Sequence, residues 1–165
     1  MTAGRVRLAD RRDLDLVTEL WMTLAEHHVS LGDTFALRAG ARDEVRALLA
    51  AQLRDPDAAV FVWERTSAGG DRERAHLTGL CIVRVDRAPP IHRVIERAEV
   101  TDLVVRKSAR RQGIGAALLD AALAWVDERG VERVEVRVAA ANAEGQAFWR
   151  SRGFGDLMDV LELHR

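Results

Sequence analysis

The chain has 165 residues, 48% of them hydrophobic and 31% charged, a balance that fits a globular protein and excludes a disordered one. Its net charge of −1 gives no global basic footprint of the kind nucleic-acid binders carry, so no nucleic-acid partner is expected. A lone cysteine, Cys81, excludes an intramolecular disulfide, no Cys/His spacing suggests a metal, and no apolar run approaches the ~20 residues that span a bilayer.

Residues 1–7 lack the apolar core of a signal peptide, so a cytoplasmic protein is expected, and 165 residues are most simply one domain, 1–165. Residues 6–9 read as a short strand. The apolar period at Leu14, Val17, Leu20, Trp21 and Leu24 then predicts an amphipathic helix that fades near His27 and His28. A second helix is expected over 43–53, stopped by Asp55-Pro56. Residues 59–64 and 76–85 read as two strands joined by a turn at 67–71, which such a short connection would pair antiparallel. Pro89 and Pro90 open a loop to about residue 95, and a strand over 97–105 follows. The stretch 114–128 is apolar around most of its circumference and predicts a helix buried against a sheet, ended by Gly130. A strand over 131–138 returning from that helix implies a parallel neighbour, hence a mixed sheet. A short helix over 143–152, stopped by Gly153, and a last strand over 157–163 complete the chain. The fold class is α/β (α+β), a mixed and mostly antiparallel sheet flanked by helices.

Between the strand ending at Val105 and the helix opening at Ile114 lies a basic turn with two glycines, Gly113 and Gly115. Glycine admits close backbone approach, and the first helical N–H groups with the helix dipole favour negative charge. The turn is therefore a candidate phosphate cradle. Leu118 stands where a dinucleotide fingerprint needs a third small residue, and no Gly-Lys-Ser/Thr of a Walker loop is present. Arg110, Arg111 and Lys107 would supply charge, and Gln112, Gly113, Ile114, Gly115 and Ala116 backbone N–H groups.

Arg110-x-x-Gly113-x-Gly115 after a strand resembles the Q/R-x-x-G-x-G/A signature of the GNAT N-acetyltransferases. The resemblance extends to residues 98–105, similar to the family's fourth strand, and to Asn142, Phe148-Trp149 and Gly153-Phe154, similar to its closing pattern. It implies a GNAT fold splayed between the fourth and fifth strands, with acetyl-coenzyme A as co-substrate and no metal. It also implies acetyl transfer to a primary amine of a small molecule or peptide by direct attack in a ternary complex. The alternative is a domain that binds or senses acyl-coenzyme A without catalysis. Family members are often dimers, so a homodimer is within the expectation.

On this resemblance the pyrophosphate goes to the basic turn, and the backbone of Leu103, Val104 and Val105 pairs with the pantetheine amides. An N–H there would also polarise the thioester carbonyl. An alkylammonium must lose a proton before it attacks, and a carboxylate near the acceptor serves that need. Glu99 is the first candidate base, or else a strand residue paired with Arg97 or Arg84. Asp102 is the second, and strand parity points it to the face opposite Glu99. Asn142 reads as an N-cap, a pantetheine contact or both. Trp149 departs from the family, many members of which carry a tyrosine there to protonate the departing thiolate; an indole N–H is too weak an acid. It packs beside the acyl sulfur or serves as a core aromatic, and Phe148 lies beside it on the donor side. Cys81 reads as a small buried apolar residue rather than a nucleophile. His27, His28, Asp33 and Phe35 are the candidate acceptor-binding residues. No acidic stripe marks a polycationic acceptor.

Overall fold

In the computed structural model, residues 3–66, 76–91, 93 and 96–163 are described. From Leu77 to Val83 every residue of the third strand is buried, and a strand apolar on both faces must be covered on both. This strand, β3 (Leu77–Arg87), accordingly sits mid-sheet in the order β1 (Gly4–Leu8), β2 (Ala58–Arg65), β3, β4 (Glu96–Val105), β5 (Val134–Val136). The first four strands pair antiparallel and β5 runs parallel to β4, the mixed sheet expected.

Two-residue alternation divides the core. Val60, Val62, Leu80, Ile82 and Val104 pack against α1 (Leu14–Val29) and α2 (Ala41–Gln52) through Val17, Leu20, Val45 and Leu49. Ala59, Phe61, Cys81, Val83 and Val100 face α3 (Ile114–Asp127), whose Leu118, Leu119, Ala122 and Val126 fill the other layer with Trp149 of α4 (Ala143–Ser151). Gly79 is where α3 comes closest to the sheet. A β-carbon built there would lie 2.8 Å from Leu118 Cδ1 and 3.1 Å from Ile114 Cγ2.

Three expectations need correction. The chain over 157–163 forms no strand: the sheet ends at β5, and Leu157, Met158, Val160, Leu161 and Leu163 stay exposed, with the Thr34 hydroxyl meeting Glu162 at 2.9 Å. The strand expected over 131–138 is only Val134–Val136, because its ladder with β4 stops at the pair Val100–Val136. The third correction is a bulge. Val83 opposes Val100 and Ile82 opposes Asp102, so Thr101 is the extra residue in β4 and parity shifts by one there. The expected turn at 67–71 lies outside the described residues.

Overpacking at the closest approach of α3 should be costly. Gly79→Val is expected to lower stability by about 1–3 kcal/mol in urea unfolding, with the slope unchanged.

Candidate active site

The bulge decides which side chains meet. Glu99 opposes Arg84 and Asp102 opposes Ile82, and both partners point to the α1/α2 side of β3. Glu99 and Asp102 therefore share a face, contrary to the uninterrupted-strand expectation. Glu99 is buried and held by two guanidinium groups, Arg84 at 3.1 Å and Arg137 at 3.4 Å. Arg97, its other expected partner, pairs instead with Glu135 at 2.8 Å.

Among the described residues no arginine pairs with Asp102. Its carboxylate accepts from the Thr101 hydroxyl at 2.6 Å, and the Trp21 indole N–H of α1 lies close enough to favour its charged form. Burial is the main influence and pushes its pKa above the ordinary carboxylate range, with the negative charge of Glu99 adding to the rise. The two hydrogen bonds and the nearby His28 oppose that rise without cancelling it. His28 shifts the other way: burial and the neighbouring His27 lower its pKa, while Asp102 pulls it up. Its ring lies 5.4 Å from that of Phe35, in the 3-10 turn Asp33–Phe35. Three of the four acceptor candidates, His27, His28 and Phe35, thus adjoin one another, while nothing ties the exposed Asp33 side chain to the cluster.

Trp21 escaped the sequence reading as a site residue, absorbed into the apolar stripe of α1. Its spacing to His28, seven residues and two turns, was the signal that both share one helix face.

β5 pairs only with Ala98, Glu99 and Val100, so β4 from Thr101 to Val105 has no partner on that side. Arg106 N–H donates to Thr78 O on β3, and alternation from there turns the backbone groups of Leu103 and Val105 toward the open side and those of Val104 toward β3. The Val105 carbonyl accepts from Arg110 Nε at 3.1 Å. At the end of the strand, Arg111 with φ 62° and Gly113 with φ 79° are both left-handed, a conformation costly for arginine and typical of strained functional turns. A β-carbon on Gly113 would meet nothing within 4 Å, so the concavity is open. The first N–H groups of α3, from Ile114 to Ala116, have no carbonyl one turn back, and no side chain caps them at Gly113. Gly115 sits against the Phe148 ring and Val105, each 3.7 Å from a β-carbon built there. Arg110 and Arg111 reach across to Glu144 at 3.5 and 3.2 Å, exposed pairs of little worth that leave both cations near the turn. The Ile114 side chain is core, and Gln112 is half-buried in the turn.

Asn142 is an N-cap: its Oδ1 accepts from Gly145 N–H at 2.9 Å. Trp149 is 8% exposed and meets Phe148 and Phe154 edge-on, each with ring centroids 5.2 Å away, so it is a core aromatic. Cys81 is fully buried opposite Leu103, and burial drives its thiol pKa far up, which removes it as a nucleophile. Among the described residues no group of three His, Cys, Asp or Glu could hold a metal ion, and no helix is long and apolar enough to cross a membrane.

Residues 26–154, which include this β4 edge and the glycine-bearing basic turn, match the family model for the acetyltransferase (GNAT) family. The chain belongs to that family. Over 63 residues it is 33% identical to the ribosomal protein bS18-alanine N-acetyltransferase of Escherichia coli K12, covering 38% of this GNAT chain and 43% of that relative. A tetramutant of the BH1408 protein from Bacillus halodurans shares the fold with TM-score 0.80 and 21% identity over 97% of this chain and 99% of that one. A predicted acetyltransferase from Clostridium acetobutylicum, solved with acetyl-CoA, does so with TM-score 0.75 and 16% identity over 98% and 96%.

The Asp102 shift carries a sign. Folding raises this pKa, so ionisation costs stability, and the cost grows as pH rises from the ordinary 3.8 through the folded value. Asp102→Asn keeps an acceptor for Trp21 and removes the charge. It is expected to raise the melting temperature at pH 7 and to lose that advantage below pH 4, in paired thermal scans.

Proposed function

We propose that this GNAT protein transfers acetyl from acetyl-coenzyme A to a primary amine of a small molecule or peptide, by direct attack in a ternary complex. The observation that carries the reading is the placement of Asp102. It is a half-buried carboxylate with no arginine or lysine partner among the described residues, on β4 where that strand loses its β5 neighbour and offers backbone groups to a ligand. The relative that acts on an alanine of ribosomal protein bS18 makes a peptide amine one acceptor to test.

The donor's phosphates go to the turn, met by N–H groups from Gln112 to Ala116 and by Arg110 and Arg111. Phe148, beside Gly115, flanks the path to the β4 edge. Its pantetheine amides pair with Leu103 and Val105, which direct backbone groups outward; Val104 contributes by keeping that edge in register with β3. Asn142 serves by setting the start of α4 rather than by its own contact.

Asp102 is the general base. A raised pKa makes it a stronger proton acceptor, and an alkylammonium needs that help. The deprotonated nitrogen attacks the thioester carbon, negative charge grows on the carbonyl oxygen beside the β4 N–H groups, and the carbon–sulfur bond breaks as the amide forms. Burial keeps the Asp102 pKa up, and Glu99, clasped by Arg84 and Arg137, adds to that rise. His27, His28 and Phe35 line the acceptor side, with Trp21 orienting the base. A homodimer and a cytoplasmic location complete the proposal.

Trp149 favours one second reading, a domain that binds acyl-coenzyme A without turnover. Incubation with acetyl-coenzyme A and a panel of amino acids, polyamines, aminoglycosides and peptides, following free thiol, separates the two. Thiol release dependent on one amine class supports transfer. Donor-induced thermal stabilisation with no release from any amine favours the binding domain, and no stabilisation overturns both.

Asp102→Asn should lower kcat by about 10²- to 10⁴-fold with donor affinity intact, whereas Glu99→Gln should cost under about tenfold in kcat. The reverse order in steady-state kinetics would return the base to Glu99.

Gly113→Val forces a β-branched residue into a left-handed conformation and fills the concavity, costing roughly 1–2 kcal/mol of stability. It should also abolish the donor-induced stabilisation, about 2.7 kcal/mol at one hundred times Kd for an intact site.

A further inference from the structure

A cavity of about 390 Å³ opens on the α1 side of the sheet, lined by Leu16, Glu19, Arg65, His76, Leu77, Thr78, Arg106 and Ser108. Its chemistry is cationic and hydrogen-bonding. Two guanidinium groups and an imidazole face one carboxylate, and Glu19 reaches Arg106 only at 3.7 Å. Arg106 spends its Nε on Leu77 O and keeps further N–H donors. Arg65 has no ion pair among the described residues. The wall includes Thr78, 6% exposed, whose hydroxyl is buried without a hydrogen-bond partner; a buried hydroxyl left so is costly unless something supplies one.

The geometry points to a binding site for a small phosphomonoester in this cavity, held by Arg65, His76, Arg106, Ser108 and the Thr78 hydroxyl. The two arginines outweigh the single Glu19 carboxylate of the lining, and guanidinium and hydroxyl donors suit phosphate oxygens. The site is separate from the donor cradle: Arg106 turns back toward β3, while Arg110 and Arg111 turn toward α4. The two share one segment, since Ser108 lies in the 3-10 turn Lys107–Ala109 that leads into Arg110.

The test is calorimetric titration of the full chain with sn-glycerol 3-phosphate, alone and with coenzyme A saturating so that the cradle is filled. Glycerol is the control. One saturable site that persists with coenzyme A present, absent for glycerol and weakened about tenfold or more by Arg65→Ala, supports the inference. Arg65 is exposed, so its truncation leaves the fold intact, and circular dichroism checks this. Binding that disappears when coenzyme A is added, or that Arg65→Ala leaves unchanged, overturns it. Failure of acetyl transfer leaves the Arg65 comparison in the protein alone standing, so the two proposals fail separately.

Discussion

One extra residue in β4 organises the active side of this molecule. Thr101 interrupts the ladder with β3 at the level where β5 stops pairing, and three consequences follow from it together. Glu99 and Asp102 come to one face, the strand beyond them is left with a free edge, and that edge runs straight into the glycine-bearing turn. A regular strand would have sent one carboxylate into the α3 layer, among Val100, Leu118 and Ala122, where an ionised group has no compensation. The bulge thus lets the chain keep two acids in the middle of an otherwise apolar sheet.

Those two acids live in opposite surroundings. Glu99 has two guanidinium partners and is locked; Asp102 has an indole, a hydroxyl and a histidine whose own pKa is held down. Electrostatics of this kind sets the two carboxylates apart: burial raises the Asp102 pKa, while Glu99 is clamped between two cations. The cost is borne by stability, and the buried layers on either side of β3 are what can offset it.

Local features were legible in the sequence and non-local ones were not. The cradle, the α3 stripe and the caps at Asn142 and Gly130 depend on neighbours a few residues away, and spacing alone revealed them. The bulge depends on how β4 meets β3, and nothing within residues 97–105 distinguishes a bulged strand from a straight one, so parity misplaced Asp102. The segment 157–163 has strand-like composition, but a strand exists only beside another edge. Trp21 was hidden for a related reason: its ring counts as apolar in a helical stripe, and its N–H matters only because Asp102 lies opposite.

The proton balance shows why the missing tyrosine is tolerable. This chain contains no tyrosine at all, and Trp149, wedged between Phe148 and Phe154, has no acidic proton to offer. Transfer from an alkylammonium nevertheless releases one proton overall, so protons are in surplus. In the proposed reaction Asp102 takes the first, and the nitrogen gives up a second as the amide forms. That second proton, or water, can satisfy a thiolate whose conjugate acid has a pKa of about 8.5. The barrier a tyrosine would lower is therefore expulsion of an already tolerable leaving group. The step that still demands a protein group is the first deprotonation, the role proposed for Asp102.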